Sequence, residues 1–231
     1  MHYKAIILAA GQGKRMQAKK NKLLLYVSAR PIISHTLYVF EKDEWCKEII
    51  LVVSPQEAEE MKKIVRQFHF QKVRHFIAGG SERQFSVANG MKVIHDEDIV
   101  LIHDGARPFV KKDHLHACAI KAHETGAAVL AVRVKDTIKK GNESYIEETL
   151  DRSSLWAMQT PQAFRGSLIK EALKKAADEN YLGTDDASLV EKLGRRVAIV
   201  EGDYFNIKIT TKEDLLFAEA ILAHFKKDGG T

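Results

Sequence analysis

The hydrophobic residues of this chain form short continuous runs that alternate with segments of helical periodicity. The predicted strands lie at about 5–10, 49–53, 73–77, 99–102, 127–132, 197–200 and 206–209. The predicted helices lie at about 32–40, 55–67, 113–124, 167–177, 187–193 and 212–225, and another ends near residue 94. This alternation predicts an α/β fold in which helices cover both faces of a mostly parallel sheet.

Residues 134–163 interrupt the alternation. A Gly141-Asn142 turn separates two short stretches there, which is typical of a hairpin rather than of a βαβ unit. Apolar side chains such as Tyr145 are unusual in a hairpin that stands alone in water, so we expect this arm to pack against another surface. We predict a single domain over residues 1–231, with a protruding arm at about 134–163.

Two helix starts carry capping signals. The segment 54–57, Ser-Pro-Gln-Glu, has the order of an N-cap, a first-turn proline and a capping-box glutamate. Thr211 occupies an N-cap position before the last predicted helix.

Composition limits the classes of protein. The chain has 231 residues, of which 45% are hydrophobic, enough for one sizeable core. Its net charge of +5 suits small anionic ligands, and we expect no nucleic-acid partner.

Cys46 and Cys118 form no CxxC pair and give no sign of a disulfide framework or a zinc site. The N-terminus enters a predicted strand directly and no apolar stretch is long enough to span a bilayer, so we expect a cytoplasmic protein without membrane contact.

A glycine-containing, strongly basic loop follows the first predicted strand. Because they lack a Cβ, Gly11 and Gly13 let backbone N–H groups approach a phosphate closely. The cations that follow are Lys14, Arg15, Lys19, Lys20 and Lys22. They would neutralise more than one phosphate, and we predict a triphosphate site in this loop.

Two standard phosphate-binding motifs do not match this loop. Met16 stands where a dinucleotide fingerprint has its third glycine, and the second predicted strand ends in Ser54 rather than in an acidic residue. Both features argue against an NAD-type oxidoreductase. The Walker pattern requires Gly-Lys followed by Ser or Thr, which the loop lacks. A Gly-x-Gly alone also occurs in ordinary tight turns.

Asp104 ends a predicted buried strand, where open α/β sheets bind their ligands. An aspartate before Gly105 is equally typical of a simple turn, and the local pattern leaves both interpretations open. His103-Asp104 also resembles part of a metal-phosphohydrolase site, but its companion histidines are not evident. The other nearby histidines, on one helix that we expect to be solvated, are His114, His116 and His123. We therefore predict no zinc or dimetal centre.

Short motifs along nearly the whole chain carry a resemblance to a known family. They are LAAGQGKRM at 8–16 with Lys22, GGSER at 79–83 with Ser86 and Val87, HDGARP at 103–108, VKDT at 134–137, DR at 151–152, QTPQ at 159–162, TDDAS at 184–188 and NIKIT at 206–210. Together they resemble nucleotidyltransferases that join a nucleotide to a phosphorylated small molecule, most closely the 2-C-methyl-D-erythritol 4-phosphate cytidylyltransferase family. One fragment would be unspecific, whereas this many in order is highly specific.

The resemblance implies both a fold and a reaction. The fold would be Rossmann-like, of the nucleotide-diphospho-sugar transferase type, with the arm serving dimerisation. The reaction would transfer CMP from CTP to 2-C-methyl-D-erythritol 4-phosphate and release pyrophosphate, in the non-mevalonate route to isoprenoids. Mg²⁺ would bridge the phosphate oxygens of CTP, and catalysis would rest on charge neutralisation and positioning.

The resemblance also implies a nucleotide half of the site. Ala10, Gly11 and Gly13 would offer backbone groups to the triphosphate, and the catalytic Arg15 and Lys22 would stabilise charge at the α-phosphate. The remaining nucleotide-binding positions would be Gly80, Ser81, Ser86, Asp104 and Gly105. From the chain pattern alone, Ser81 is more simply explained as the N-cap of the following helix.

The acceptor half implied by the resemblance consists of Asp104, Arg107, Thr137, Arg152, Thr160 and Lys208, of which Lys208 is also catalytic. Asp104 would orient substrate hydroxyls or lie near the metal. Thr137 and Arg152 belong to the arm, which in the family crosses to the other subunit of a homodimer. Without the motif, Lys208 would be an ordinary solvent-facing residue of a predicted strand.

Three positions depart from the family pattern. Asn21 stands where relatives often have a proline before the lysine, so we expect a less rigid loop there. Gly105 replaces a commoner alanine, and Ser81 replaces a commoner aspartate. None of the three removes a charged catalytic position, so they bear on nucleotide affinity rather than on the reaction.

Two alternatives remain open from the sequence. A ribitol 5-phosphate cytidylyltransferase has similar motifs in the nucleotide half and differs in its acceptor. A non-catalytic binding module on the same fold is disfavoured by the retained cations Arg15, Lys22, Arg107, Arg152 and Lys208. The expected ligands are therefore CTP and a sugar-alcohol phosphate.

Overall fold

The computed structural model describes residues 1–11 and 21–227. The strands are β1 (Tyr3–Ala9), β2 (Tyr26–Val27), β3 (Arg30–Pro31), β4 (Cys46–Val53), β5 (Val73–Ala78), β6 (Ile99–Asp104), β7 (Ala127–Arg133), β8 (Lys139–Gly141), β9 (Ile146–Thr149), β10 (Trp156–Arg165) and β11 (Ala198–Glu201). The α-helices are α1 (Ile32–Glu41), α2 (Ala58–Gln67), α3 (Arg83–Gly90), α4 (Lys112–Thr125), α5 (Gly166–Asp178), α6 (Asp186–Lys192) and α7 (Glu213–Lys227).

β1 lies inside the sheet between β4 and β6 and runs parallel to both. Its alternate side chains enter different hydrophobic clusters, Ile7 on one face of the sheet and Ile6 on the other. Both residues are fully buried. The continuous apolar run therefore forms a strand that is covered on both faces, as predicted.

Helices cover both faces of the sheet, which confirms the predicted α/β architecture. α1, α2 and α4 contribute to one cluster through Leu37, Met61 and Leu115, and α7 packs on the same side. α3 and α5 contribute to the other cluster through Val87 and Ile169, together with α6. None of the described helices is long and apolar enough to cross a membrane.

The central sheet has seven strands in the order β11-β7-β10-β6-β1-β4-β5. Among its described strands, β10 alone runs antiparallel to its neighbours, β6 and β7. The sequence pattern places residues 156–163 in the arm, so the predicted arm is too long at its C-terminal end. The sequence did not predict this strand because it contains polar residues, which are nevertheless buried. Inside the fold, Gln162 Nε2 donates to Asp185 (2.7 Å) and Gln159 Nε2 donates to the carbonyl oxygen of Asp203 (2.9 Å).

The hairpin that protrudes consists of β8 and β9, which form a separate two-stranded sheet. All residues of both strands are exposed. Ile146 is 69% exposed and its neighbour Tyr145 is 77% exposed. Because β7 and β10, on either side of the hairpin, belong to the central sheet, the arm is an insertion within that sheet.

The start of α2 differs from its prediction. A 3₁₀ turn, Pro55–Glu57, precedes the helix, and Ser54 makes no capping hydrogen bond. The side chain of Glu57 binds Asn21 instead of the helix start. The capping-box interpretation is therefore wrong, because a tertiary partner competes for the glutamate.

The strand predicted at 206–209 is also not formed. This segment contacts the edge of the core through a hydrogen bond from the N–H of Ile209 to the carbonyl oxygen of Ala106 (2.9 Å). The closing helix α7 follows, and the N–H of Asp214 donates to Thr211 Oγ1 (3.4 Å), which agrees with the predicted cap.

Candidate active site

A cavity of about 610 Å³ lies at the C-terminal ends of β1 and β6. Leu8 and Asp104, which are paired across these two strands, both line it. Parallel strands end at the same edge of a sheet, and open α/β folds bind their ligands there. The structure brings together at this cavity the sequence-predicted residues Ala10, Gly11, Lys22, Gly80, Ser81, Ser86, Asp104 and Lys208.

Lys22 is held in place by a buried neighbour. Asn21 is 2% exposed, and its Nδ2 donates both to the carbonyl oxygen of Ala9 (2.9 Å) and to Glu57 Oε2 (2.7 Å). Its backbone N–H donates to Glu57 Oε1 (3.2 Å), and its Oδ1 accepts from the N–H of Leu23 (3.0 Å). These hydrogen bonds restrain residue 21 itself, and the rest of the loop to which the expectation of lower rigidity applies, residues 12–20, lies outside the described residues.

A glycine turn forms another wall of the cavity. The N–H of Gly80 donates to Ser86 Oγ (3.0 Å), and this hydroxyl donates to the carbonyl oxygen of Glu82 (3.2 Å). A Cβ at Gly79 would lie 2.3 Å from the Cβ of Ala10, so only glycine allows the turn to approach the end of β1. Ser86 thus fixes the turn from within.

Ser81 is exposed at the cavity. It does not cap α3, whose N-cap is Glu82 without a side-chain hydrogen bond. The simple capping interpretation of Ser81 is therefore wrong. Its side chain remains at the wall where a ligand would bind.

The charged centre of the cavity is Asp104. Its Oδ2 lies 2.6 Å from Lys208 Nζ, and its Oδ1 accepts from Arg83 Nε at 3.3 Å. Burial alone would raise the pKa of this carboxyl, but the charges of Arg83 and Lys208 outweigh burial and hold the pKa of Asp104 well below its usual value. The carboxylate therefore stays ionised at any physiological pH.

Two further charged residues extend this centre, and sequence reasoning missed both of them. Arg83 Nη1 lies 2.8 Å from Asp186 Oδ2, and Asp186 is 1% exposed in the first turn of α6. Burial disfavours the charged guanidinium, yet the two carboxylates outweigh burial and raise the pKa of Arg83. Each residue lies in a quoted motif, 79–83 or 184–188, so the signal was present but unassigned.

His103 and Thr160 support the end of β6 from inside. The N–H of Asp104 donates to Thr160 Oγ1 (3.1 Å), and this hydroxyl lies 3.0 Å from His103 Nδ1. His103 Nε2 lies 2.9 Å from the carbonyl oxygen of Arg107, which can only accept, so Nε2 carries the proton. Burial lowers the pKa of His103 to about 4. The imidazole is therefore a neutral internal connector.

Arg107 and Gly105 are held by hydrogen bonds to other parts of the chain. Arg107 Nη1 donates to the carbonyl oxygen of Asn206 (2.7 Å), and its Nε is buried without a hydrogen-bond partner among the described residues. The N–H of Gly105 donates to the carbonyl oxygen of Leu8 (3.0 Å), and its own carbonyl accepts from Thr36 Oγ1 (2.8 Å). Neither residue is among the described residues that line the cavity.

Other sequence-predicted residues lie elsewhere. Thr137 and Arg152 are exposed on the arm side of the fold and are not among the described residues at the cavity. Arg152 Nη1 donates to the carbonyl oxygen of Lys135 (2.6 Å). Gly13 and Arg15 fall in the segment 12–20, outside the described residues.

Among the residues that the structure describes, the cavity offers no group of three candidate metal ligands. Both oxygens of Asp104 already contact cations, which disfavours Asp104 as a direct metal ligand. In the described part of the chain, the one group of three candidate ligands is Asp43, Glu44 and His116, and none of them lines the cavity. His116 is not a solvated residue as expected, because its Nε2 lies 2.7 Å from the buried carboxylate of Asp43.

The sheet is mostly parallel, and a glycine turn and a charged cavity lie at the ends of its central strands. These features are typical of a nucleotide-binding enzyme of the α/β class. The model of the family described as IspD, 2-C-methyl-D-erythritol 4-phosphate cytidylyltransferase, matches residues 3–224. This chain belongs to that family.

Curated relatives and solved structures agree with this placement. A 2-C-methyl-D-erythritol 4-phosphate cytidylyltransferase of Geobacillus kaustophilus is 59% identical over 223 residues, which cover 96% of this chain and 98% of the relative. The relative of the same name from Bacillus licheniformis is 52% identical over 228 residues, with 99% of both chains covered.

Among solved structures, the 4-diphosphocytidyl-2C-methyl-D-erythritol synthase of Anaerococcus prevotii has a TM-score of 0.84 at 33% identity, with 96% of each chain covered. The cytidylyltransferase structure from Thermus thermophilus has a TM-score of 0.79 at 31% identity, covering 94% of this chain and 98% of that one. The predicted fold and family are confirmed by these findings.

Proposed function

We propose that this chain transfers CMP from CTP to 2-C-methyl-D-erythritol 4-phosphate, giving 4-diphosphocytidyl-2-C-methylerythritol and pyrophosphate. The observation that carries the proposal is the Lys208–Asp104 pair (2.6 Å), which lies in the same cavity as Lys22 and the Gly80 turn in a chain of this family. The reaction would serve the non-mevalonate synthesis of isoprenoid precursors in the cytoplasm.

The nucleotide occupies the part of the cavity between the end of β1 and the glycine turn. Gly80 and the exposed Ser81 offer polar groups at close range, which suits a base and its ribose. Ala10 and Gly11, at the end of β1, face the triphosphate, and Gly13 with Arg15 is assigned to the same role by family membership.

The chemical problem is the meeting of two polyanions. A phosphate oxygen of the acceptor forms a bond to the α-phosphorus of CTP while the bond to the pyrophosphate oxygen breaks. Lys22 and Arg15 stabilise the charge that develops at the α-phosphate, and Lys208 holds the acceptor phosphate. No covalent enzyme intermediate is required, because positioning and charge neutralisation supply the catalysis.

Mg²⁺ is proposed as the cofactor that accompanies the triphosphate. Since Asp104 is already paired with two cations, we assign the ion to the phosphate oxygens of CTP rather than to a preformed protein site. When bound, it would supply further neutralisation of phosphate charge.

The acceptor half is proposed to be completed by a second copy of the chain. The exposed apolar residues of the arm, Tyr145 and Ile146, are suited to burial against a partner subunit. In such a homodimer, Thr137 and Arg152 of one subunit would complete the cavity of the other. Arg107 and Thr160 would support the acceptor side from within each subunit.

The decisive test is pyrophosphate release with CTP and Mg²⁺, comparing 2-C-methyl-D-erythritol 4-phosphate with ribitol 5-phosphate. We expect release with the methylerythritol substrate. A preference for ribitol phosphate would favour the alternative acceptor, and release with neither would favour a binding module. Lys208→Met, with the exposed Lys212→Met as its matched control, tests whether the paired lysine is needed.

A further inference from the structure

Four charged side chains form a continuous ladder beside the cavity. Lys208 Nζ contacts Asp104 Oδ2 (2.6 Å), Asp104 Oδ1 accepts from Arg83 Nε (3.3 Å), and Arg83 Nη1 contacts Asp186 Oδ2 (2.8 Å). Positive and negative charges alternate along it. Lys208, Asp104 and Arg83 line the cavity, whereas Asp186 lies behind them.

Asp186 is the unusual member of this ladder. It is 1% exposed, and neither of its oxygens has a hydrogen-bond partner among the described residues, so the ion pair with Arg83 is its one compensation there. A buried carboxylate is costly unless its charge is opposed. The ion pair therefore ties the Arg83 guanidinium to Asp186, behind the residues that line the cavity.

The two carboxylates use different nitrogens of the same planar guanidinium. An arginine can hold two carboxylates at fixed angles, which a lysine ammonium cannot do. Arg83 thereby orients the Asp104 carboxylate, and the orientation of that carboxylate determines where Lys208 Nζ lies. Lysine has a flexible stem, so without this restraint its ammonium would sample other positions.

We propose that Arg83, anchored by Asp186, is a positioning residue that sets the Asp104 carboxylate and, through it, the Lys208 ammonium for the acceptor phosphate. This inference rests on the proposed function. It assigns to Arg83 no direct contact with either substrate. It predicts that Arg83 affects the acceptor far more than the nucleotide.

The test uses Arg83→Gln, Arg83→Lys, Asp186→Asn and the double variant Arg83→Gln/Asp186→Asn. The matched controls, at exposed positions outside the cavity, are Arg74→Gln on β5 and Asp178→Asn at the end of α5. We expect each test variant to raise the acceptor KM by about tenfold or more, with the dissociation constant of CTP changed by less than about threefold. Arg83→Lys should not rescue, because an ammonium cannot replace the planar bridge.

The double variant separates positioning from stability. Arg83→Gln alone leaves Asp186 buried without a counter-charge and should lower Tm. The double variant removes both charges and should regain Tm, while its acceptor KM stays raised. If the acceptor KM returned to normal together with Tm, Arg83 would be merely structural and the inference would be overturned. An equal loss of CTP affinity would overturn it in favour of direct nucleotide contact.

Crystal structures of the variants give a readout that does not depend on turnover. In Arg83→Gln/Asp186→Asn we expect the Asp104 carboxylate to rotate and its 2.6 Å contact with Lys208 to lengthen. An unchanged pair would contradict the inference even if the enzyme used another acceptor. Failure of the proposed function would appear differently, as a wild-type protein without turnover on 2-C-methyl-D-erythritol 4-phosphate.

Discussion

At the scale of single residues, the site depends on charges that are balanced before any ligand arrives. Asp104 is buried, yet it remains ionised because Lys208 and Arg83 each contact one of its oxygens. His103, the residue directly before it, is kept neutral by burial. The two neighbours in sequence therefore have opposite electrostatic roles, one as a charged centre and one as an uncharged support.

Lys22 is the residue whose loss should affect turnover most directly. We expect Lys22→Ala to lower kcat by about 10²-fold, because one donor to the transition state is removed. Steady-state kinetics and a thermal melt measure the effect, with Lys174→Ala on the exposed face of α5 as the control. Near-normal turnover of a folded Lys22→Ala protein would rule out this role.

His103 should make stability depend on pH. Its pKa falls from about 6.5 in the unfolded chain to about 4 in the fold, so the unfolded state binds the proton first. As pH falls through this window, the free energy of unfolding should decrease by up to about 1.4 kcal/mol per pH unit from this group. The stabilising contribution is complete above pH 6.5 and is lost towards pH 4.

Urea denaturation between pH 7 and pH 5 checks this expectation. His103→Gln should be less stable than the wild type at pH 7 but should show a shallower decline with falling pH. His123→Gln, at an exposed position of α4, should keep the wild-type slope. Equal slopes for wild type and His103→Gln would show that His103 is not the group responsible.

At the scale of elements, the turns and loops between the main helices and strands keep the site residues in place. The 3₁₀ turn Pro55–Glu57 at the end of β4 places the Glu57 carboxylate against both the backbone and side-chain N–H groups of Asn21. Asn21 in turn is joined to the end of β1 and to the turn that contains Lys22. A residue far from the ligand thereby restrains the backbone of Lys22.

We expect Glu57→Gln to lower kcat by about tenfold while the KM for CTP changes little. Both carboxylate oxygens of Glu57 accept from N–H groups of Asn21, and the NH₂ group of the substituted side chain would face one of these donors, which weakens the restraint on Lys22. Stability should fall by about 1–3 kcal/mol, as for loss of a hydrogen bond to a charged group. Glu59→Gln, an exposed residue of α2, is the matched control for kinetics and urea denaturation. If both variants had wild-type kcat, the restraint on Lys22 would be irrelevant to turnover.

At the scale of the whole molecule, residues 1–11 and 21–227 of one chain bring together only part of the expected site. The described cavity residues include five predicted nucleotide positions and the Lys208–Asp104 pair, whereas Thr137 and Arg152 lie on the exposed arm side. The five are Ala10, Gly11, Gly80, Ser81 and Ser86. An arm inserted between two strands of the central sheet projects from the body that carries the cavity. In the proposed homodimer, a second copy would supply Thr137 and Arg152 to the cavity.

Mixing inactive variants tests this arrangement. A mixed dimer of one Arg15→Ala and one Arg152→Ala protomer contains one site with both arginines. Random exchange makes about half of the dimers mixed, so about a quarter of all sites, and of the wild-type activity, should be restored. The control mixture, Arg15→Ala with Lys22→Ala, places both lesions in the same half of the site and should stay inactive. Subunit exchange is monitored with two affinity tags. Exchange without rescue would argue against a shared site.

Several features were predictable because they depend on local pattern. The buried run that becomes β1, the helices on both faces and the family motifs all follow from neighbours in sequence. β10 was missed because Gln159 and Gln162 make it look polar, and only tertiary partners satisfy them. Arg83 and Asp186 were missed because 103 positions separate residues that meet in space.

The sequence by itself determined the class of fold, the family and the identity of the charged residues, because hydrophobic periodicity and ordered motifs are properties of the linear chain. Only the tertiary structure decided which of those charges meet. The ladder from Lys208 to Asp186 joins four separate segments, and its members acquire their roles through burial and distances of 2.6–3.3 Å. Periodicity reports which face of an element is buried, but electrostatic pairing depends on three-dimensional proximity, which no local pattern contains.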